Sequence, residues 1–362
     1  MRVRIDATSV LLRSAGIKSY TYHWIRHLRM QAGSDEILPF PYLGELGELR
    51  HETSVLTPAQ TYPRLALLYF LNVPHNPAIH RVAAGADIFH VSNQIRQTPR
   101  GIRLTATVYD LTCRLMPEVH TAANVQADES YTRRVLLNAD GLIAISENSR
   151  HDAVRLLGID PRKIRVIYPG VADPYFDAVP LPAARPYILF VSTLEPRKNV
   201  DVLLDAWHLL RPDVRDAYDL VVAGATGWAS KRTSERLHAG ISGVRYLGYV
   251  PERELPGLMA GATAFVYPSL YEGFGLPVAQ AMASSVPVIT SNNSCLPEIA
   301  GDGALLVDPR SVVEMAAALE RLLTSETLRA RLGRAGRARA DQYRWETCAR
   351  ESLDFFRSVV GR

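Results

Sequence analysis

The sequence predicts an α/β protein made of two mostly parallel sheets, each covered by helices on both faces. Three observations predict it. Short apolar runs of strand type alternate with amphipathic helical patterns along the chain. The alternation breaks once, at 178–186, where Pro180, Pro182 and Pro186 crowd together and read as a linker. The length, 362 residues, is long for one such unit and comfortable for two.

The elements follow in order. A strand at 3–5 precedes a helix carrying Ile17, Tyr20, Trp24 and Leu28 close to helical spacing. Strands are expected at 87–91, 104–109, 142–145 and 164–168. After the linker the pattern restarts with a strand at 187–191. Val200, Leu203, Leu204, Trp207 and Leu210 then fall on one helix face. Further strands are expected at 220–223, 244–249, 264–267, 286–290 and 304–307, with helices around 230–238, 252–260 and 277–284. Val312, Met315, Ala316, Leu319 and Leu322 form another stripe, and helical patterns over 328–342 and 345–359 close the chain. The expected boundaries are therefore 1–178, a linker at 179–186, 187–342, and a terminal helix at 343–362 that returns to the first half. Parallel sheets bind ligands beyond the carboxyl ends of their strands, so each half brings a half-site.

Composition excludes several classes. The chain is 47% apolar and 22% charged, which is globular, and its net charge of +4 is too mild to indicate a nucleic-acid partner. Four of the 41 basic residues are lysine, leaving 37 arginines spread along the whole chain, a pattern closer to genome bias than to one phosphate-binding surface. Cys113, Cys295 and Cys348 are isolated, and neither CxxC nor HExxH occurs, so no metal site is expected. The first residues lack an apolar signal core, and the apolar run at 65–71 is far too short to span a membrane, which points to a cytoplasmic protein. That run, with Arg64, Tyr69, Phe70 and Arg81 around it, reads as a buried helix or as a patch for a membrane surface.

The most informative stretch runs from Tyr267 to Gln280. A strand ends at Tyr267, and a loop holding Glu272, Gly273, Phe274 and Gly275 leads through Leu276 into a helix with Pro277 in its first turn. The start of such a helix attracts anions, and glycines let backbone approach a phosphate. Glu272 would direct its carboxylate to sugar hydroxyls, and Gln280, one turn on, would reach a ribose.

With these residues in view, 187–310 resembles the C-terminal domain of the retaining GT-B glycosyltransferases of family 4, the group 1 glycosyltransferases. The resemblance rests on "YEGFGLPVAQAMA", "LEPRKNV" at 194–200, "YLGYVPERELPGLMAGA" at 246–262 and "VPVITSNNSCLPEIAGDGALLVDP" at 286–309. It extends more weakly to "SAGIKSYTY", "ISENSRHDAV" and "VIYPGV". It implies two facing Rossmann-like domains with a deep cleft between them. It also implies a nucleotide-diphosphate sugar as donor, a glycan or lipid-linked acceptor, no cofactor and no metal. The implied donor site comprises Lys198 and Arg197 on the diphosphate, Gly16 at a tight turn near the phosphates, Gly248 and Tyr249 beside the base, the 273–276 loop, Glu272 on the transferred sugar and position 280 on the ribose. Glu272, Lys198 and Asp110 are the implied catalytic set, with Tyr109, Asp110 and Ser146 as sugar or acceptor contacts.

Two departures stand out. The family's second glutamate is Gln280, whose amide should weaken donor binding by roughly 1–2 kcal/mol without abolishing it. Where many relatives carry His-Asp, this chain has Tyr109-Asp110. Asp110 also reads as a strand-end turn residue, and Ser146 as an N-cap. Two other classes share the pattern: a nucleotide-sugar epimerase of the same architecture and a non-catalytic sugar-nucleotide binder. A nicotinamide oxidoreductase is a weak reading because 6–16 lacks GxGxxG.

Overall fold

The computed structural model describes every residue except 15, 74, 75, 93, 94, 96, 229 and 362. The chain forms two compact units. The first comprises Met1–Leu115, Ala122–Gly170 and Arg344–Arg362; the second comprises Met116–Thr121 and Val171–Tyr343. The division differs from the expected one. It falls at 170, before the prolines, and residues 179–186 belong to the second unit. There Tyr175 is buried, Arg337 lies over the Phe176 ring at 4.6 Å, and Leu181 N–H donates to Gly257 O at 3.0 Å. Proline density marked an extended, exposed segment, which the bond from Leu181 to Gly257 ties to the second unit.

The first unit holds β1 (Arg2–Asp6), β2 (Glu36–Phe40), β3 (Ile88–Val91), β4 (Arg103–Val108), β5 (Gly141–Ala144) and β6 (Ile164–Val166), all parallel, in the order β2-β1-β3-β4-β5-β6. All residues of β3 and β5 are buried, as sheets covered on both faces require. The Trp345–Val360 helix belongs to this unit and packs on the Gly16–Gln31 helix, with Trp24 Nε1 donating to Ser352 Oγ at 2.9 Å. At Gly141 a Cβ would meet Val359 Cγ2 at 2.8 Å, so glycine permits this approach.

Strand β2 was not expected. Its sequence, EILPF, carries a proline, which an edge strand tolerates. The apolar run at 65–71 lies in the Pro58–Leu71 helix, which buries Thr61, Leu68 and Leu71 and exposes Tyr62, Tyr69 and Phe70. One face is core and the other is open. No helix among the described residues is long and apolar enough to cross a membrane.

The second unit holds β7 (Tyr187–Val191), β8 (Asp219–Ala223), β9 (Val244–Gly248), β10 (Ala264–Tyr267), β11 (Val288–Ser291) and β12 (Ala304–Val307), again all parallel, in the order β12-β11-β10-β7-β8-β9. Counted within the unit, this is the 3-2-1-4-5-6 order of doubly wound sheets. The order reverses between β7 and β10, and the crevice beyond their carboxyl ends is where such a sheet binds ligands.

Candidate active site

The loops leaving β7 and β10 meet at that reversal and bring together charges distant in sequence. After β7 the chain reaches a short turn, Pro196–Lys198, then Asn199 in a left-handed conformation, then the Val200–Leu209 helix. After β10, Pro268–Gly275 leads into the Leu276–Ala283 helix, with Pro277 in its first turn. Gly275 has φ +79°, and a Cβ there would meet Leu296 Cδ2 at 2.6 Å, so both conformation and space demand glycine.

Glu272 is the centre of the cluster. Its Oε1 accepts from Lys198 Nζ at 2.6 Å, Ser269 Oγ at 2.6 Å and Tyr267 Oη at 3.0 Å; its Oε2 lies 3.1 Å from Arg197 Nη1. Lys198 also donates to Tyr267 Oη at 2.9 Å, and Arg197 Nη2 donates to Glu195 Oε1 at 2.8 Å. Glu195, Lys198 and Glu272 are all buried. Burial alone would raise the Glu272 carboxyl, but the charges of Lys198 and then Arg197 outweigh it and hold the group down at about 2. For Lys198, burial and Arg197 act to lower the ammonium, yet Glu272, Tyr267 and Glu195 prevail and raise it. Both groups are therefore ionised throughout the neutral range.

Glu195 and Glu272 balance the cation pair from within the chain. One sequence reading is revised. Glu272 was expected to turn its carboxylate to sugar hydroxyls. Three donors occupy Oε1, which leaves Oε2, beside Arg197, as the oxygen with room for another. Glu195, Tyr267 and Ser269 were not singled out as site residues. A carboxylate one residue before Pro-Arg-Lys was the available signal for Glu195.

The other expected donor residues fall nearby or elsewhere. Gln280 is half-buried on the Leu276–Ala283 helix. Gly248 ends β9 with φ +64° and open space where a Cβ would stand, and Tyr249 follows it. Gly16, in the first unit, departs from expectation. It is the exposed first residue of its helix, reached through a 3-10 turn at Thr8–Leu11, with no positive φ and nothing within 4 Å of a built Cβ. No tight turn requires glycine there.

The first unit's contact residues are largely committed to its own structure. Ser146 is fully buried and caps the Glu147–Leu157 helix, accepting from Ser149 N–H at 3.0 Å; the cap accounts for it, and burial removes it as a contact. Asp110 Oδ1 accepts from Thr112 N–H at 3.0 Å and Thr112 Oγ1 at 2.7 Å, which is the turn reading. Tyr109 Oη pairs with Ser92 Oγ at 2.9 Å, and burial pushes its phenol up. Among the described residues no group of three or more His, Cys, Asp or Glu stands ready to hold a metal ion.

Comparison with known proteins completes the picture. Residues 172–339 match the family described as Glycosyl transferases group 1, and 15–173 match Glycosyltransferase Family 4. The chain is 34% identical over 267 residues to an O-antigen chain mannosyltransferase B from Escherichia coli, covering 70% of each. Its fold resembles sucrose-phosphate synthase from Thermosynechococcus elongatus, with a TM-score of 0.76 at 19% identity over 100% of this chain and 99% of that one. It also resembles Anabaena HepE in complex with UDP-glucose, with a TM-score of 0.72 at 18% identity over 99% of both chains. With a switch-point charge cluster in a doubly wound sheet, matched family models at both ends and a mannosyltransferase relative, this chain belongs to glycosyltransferase family 4 and is a group 1 glycosyltransferase of GT-B fold.

Proposed function

We propose that the chain moves a hexose, mannose or a glucose-like sugar, from a nucleotide-diphosphate donor to a glycan or lipid-linked acceptor, with retention at the anomeric carbon and without a metal ion. One observation carries the reading: Lys198 and Arg197 are held as permanent cations beside the glycine loop and helix start of 273–283. Fixed cations and a helix dipole at one point suit a diphosphate leaving group whose charge grows as the glycosidic bond breaks. With Glu195 and Glu272 balancing their charge, the two cations would act on the diphosphate as fixed hydrogen-bond donors together with the helix N–H groups. The mannosyltransferase relative supports the sugar class, and the HepE complex supports the donor class.

Glu272 acts in this scheme chiefly by fixing Lys198 and Arg197. A carboxyl held near 2 neither donates nor collects protons at neutral pH. The departing phosphate then takes the acceptor's proton on the same face, through an oxocarbenium-like transition state, and catalysis is positioning and electrostatics. An acceptor on a lipid carrier would place the protein at the inner face of a membrane.

The test joins binding to turnover. GDP, UDP, dTDP and ADP are compared by thermal shift, since a ligand specific for the folded chain raises its melting temperature. Turnover of the matching sugar donor is then measured with and without EDTA, and the product linkage is determined. One nucleotide should stand out, EDTA should leave the rate unchanged, and the anomer should be retained. No nucleotide shift would defeat the donor reading; loss of rate in EDTA would defeat metal independence.

A further inference from the structure

The loop that carries Glu272 is hung from its neighbour by side chains. The parallel pairing of β10 with β11 ends at Tyr267 and Thr290. From that register onward the ties pass to side chains. Thr290 Oγ1 donates to Tyr267 O at 2.8 Å, Ser291 Oγ to Ser269 O at 2.7 Å and Asn293 Nδ2 to Leu270 O at 2.8 Å. Ser294 Oγ then accepts from the Glu272 N–H at 3.1 Å. The contacts advance in step along both segments, so the order of the sheet is carried past its last strand pair as far as Glu272. On its other side the same loop is tied to the turn after β7. Leu270 N–H donates to Arg197 O at 2.8 Å, and Asn199 Nδ2 donates to Pro268 O at 3.0 Å.

Two local penalties accompany the ties from 293 and 294. Ser294 stands at φ 51°, in the left-handed region where a side chain is crowded. Asn293, bound through Nδ2, leaves its Oδ1 buried with no hydrogen-bond partner among the described residues, which is unfavourable inside a protein. Glycine would take the φ of Ser294 without strain. What serine adds there is its hydroxyl, and the partner of that hydroxyl is the backbone of Glu272. Strain of this kind persists where surrounding contacts over-determine it, and it gathers at functional sites. Glu272 is the counter-ion shared by Lys198, at 2.6 Å, and Arg197, at 3.1 Å. A shift of its main chain would therefore disturb both cations at once.

We propose that Ser294 is a positioning residue of the donor site: it fixes the Glu272 backbone, through it the carboxylate, and through the carboxylate the directions of Lys198 and Arg197. Asn293 supports it from the preceding position. The effect on turnover rests on the donor reading above; the hold on Glu272 does not.

Ser294→Gly and Ser294→Ala are compared in the full chain. Both lose the hydroxyl, but glycine relieves the backbone and alanine keeps it strained. In thermal melts Ser294→Gly should match or exceed the wild type, and Ser294→Ala should fall below it. Turnover should instead fall about tenfold in both, as a small displacement of groups at a reacting centre causes. The donor used is the sugar conjugate of whichever of GDP, UDP, dTDP and ADP gives the wild type its largest thermal shift. A second readout needs no donor. The carbon-13 signal of the Glu272 carboxyl, assigned with Glu272→Gln, is titrated in the wild type and in Ser294→Gly. Against the effect of burial, Lys198 and then Arg197 hold this carboxyl at about 2. Its midpoint should rise by about one pH unit when contact with them loosens. If Ser294→Ala does not fold, Ser294→Gly decides alone. Wild-type turnover in Ser294→Gly, or a carboxyl that does not move there, would overturn the proposal. A moved carboxyl in a chain whose wild type binds none of the four nucleotides would uphold the hold on Glu272 and defeat the donor reading instead.

Discussion

Each unit buries a lysine, and the two surroundings are opposite. Lys18 in the first unit is fully buried, yet among the described residues its ammonium meets only the carbonyl oxygens of Leu12 at 2.9 Å and Thr53 at 2.6 Å, and burial lowers it to about 8. Lys198 in the second unit sits against Glu272 and is raised. Lys18 clasps two loops together with a charge that is weakly held. Lys198 is a permanent cation at the ligand end of a sheet. The surrounding polar groups follow the same division. Within the first unit's sheet His90 of β3 pairs with Thr105 and Thr107 of β4, at 3.0 and 2.9 Å, and just beyond these strands Tyr109 pairs with Ser92. Beyond the second unit's strands stand two carboxylates and two cations. Similar parallel sheets carry neutral hydrogen-bonded pairs in one unit and paired charges in the other.

The largest expected effect comes from removing the permanent cation. Lys198→Ala leaves Glu272 buried with one charge partner fewer, and should cost about 3–5 kcal/mol in denaturant unfolding. Donor turnover at matched folding should fall at least about tenfold. Unchanged turnover would erase the contrast between the two lysines. Gly275→Ala comes next, because its φ and the contact with Leu296 both oppose a side chain; about 1–3 kcal/mol should be lost, with weaker nucleotide binding read by calorimetry.

The pH response separates the units further. Burial holds the His90 imidazole at about 3, so the folded chain refuses a proton that the unfolded chain accepts below pH 6.5. Stability should therefore fall as pH drops from 6.5 toward 3, by up to about 1.4 kcal/mol per pH unit. His90→Gln should remove about one proton from that dependence in urea melts between roughly pH 4 and 6. Glu272 responds in the same direction but at lower pH. Its stabilisation is complete above about 4.5 and fades as pH falls toward 2. A cluster that disassembled near pH 6 would contradict this. The smallest effect is Ser146→Ala, which should cost about 1 kcal/mol of helix capping and leave turnover unchanged; a large loss of rate would return Ser146 to the substrate.

The second unit was the more legible because its signals are local. Strands at 187–191 and 264–267, the glycine loop and the proline entry to a helix are all read within one window of sequence. Glu272 was identified, but its pairing with Lys198 was not, since Lys198 lies 74 residues earlier and only the sheet order joins them. The first unit hid more. Strand β2 is short, carries Pro39 and shows no clean alternation. Gly16 looked like a turn glycine because the Thr8–Leu11 turn, which does the turning, has no marked sequence signature. The domain boundary was set by composition at 178, whereas burial of Tyr175 and Phe176 sets it at 170.

The first unit closes with a stretch that follows the whole of the second in sequence: Arg344–Arg362 rejoins residues of the opening half. During synthesis the order of completion is thus inverted. The second unit has every strand in hand while Trp24 still awaits Ser352 and Gly141 awaits Phe355 and Val359. A chain halted after Tyr343 emerges with a finished second unit and a first unit whose apolar surface is uncovered, the condition that invites chaperone capture.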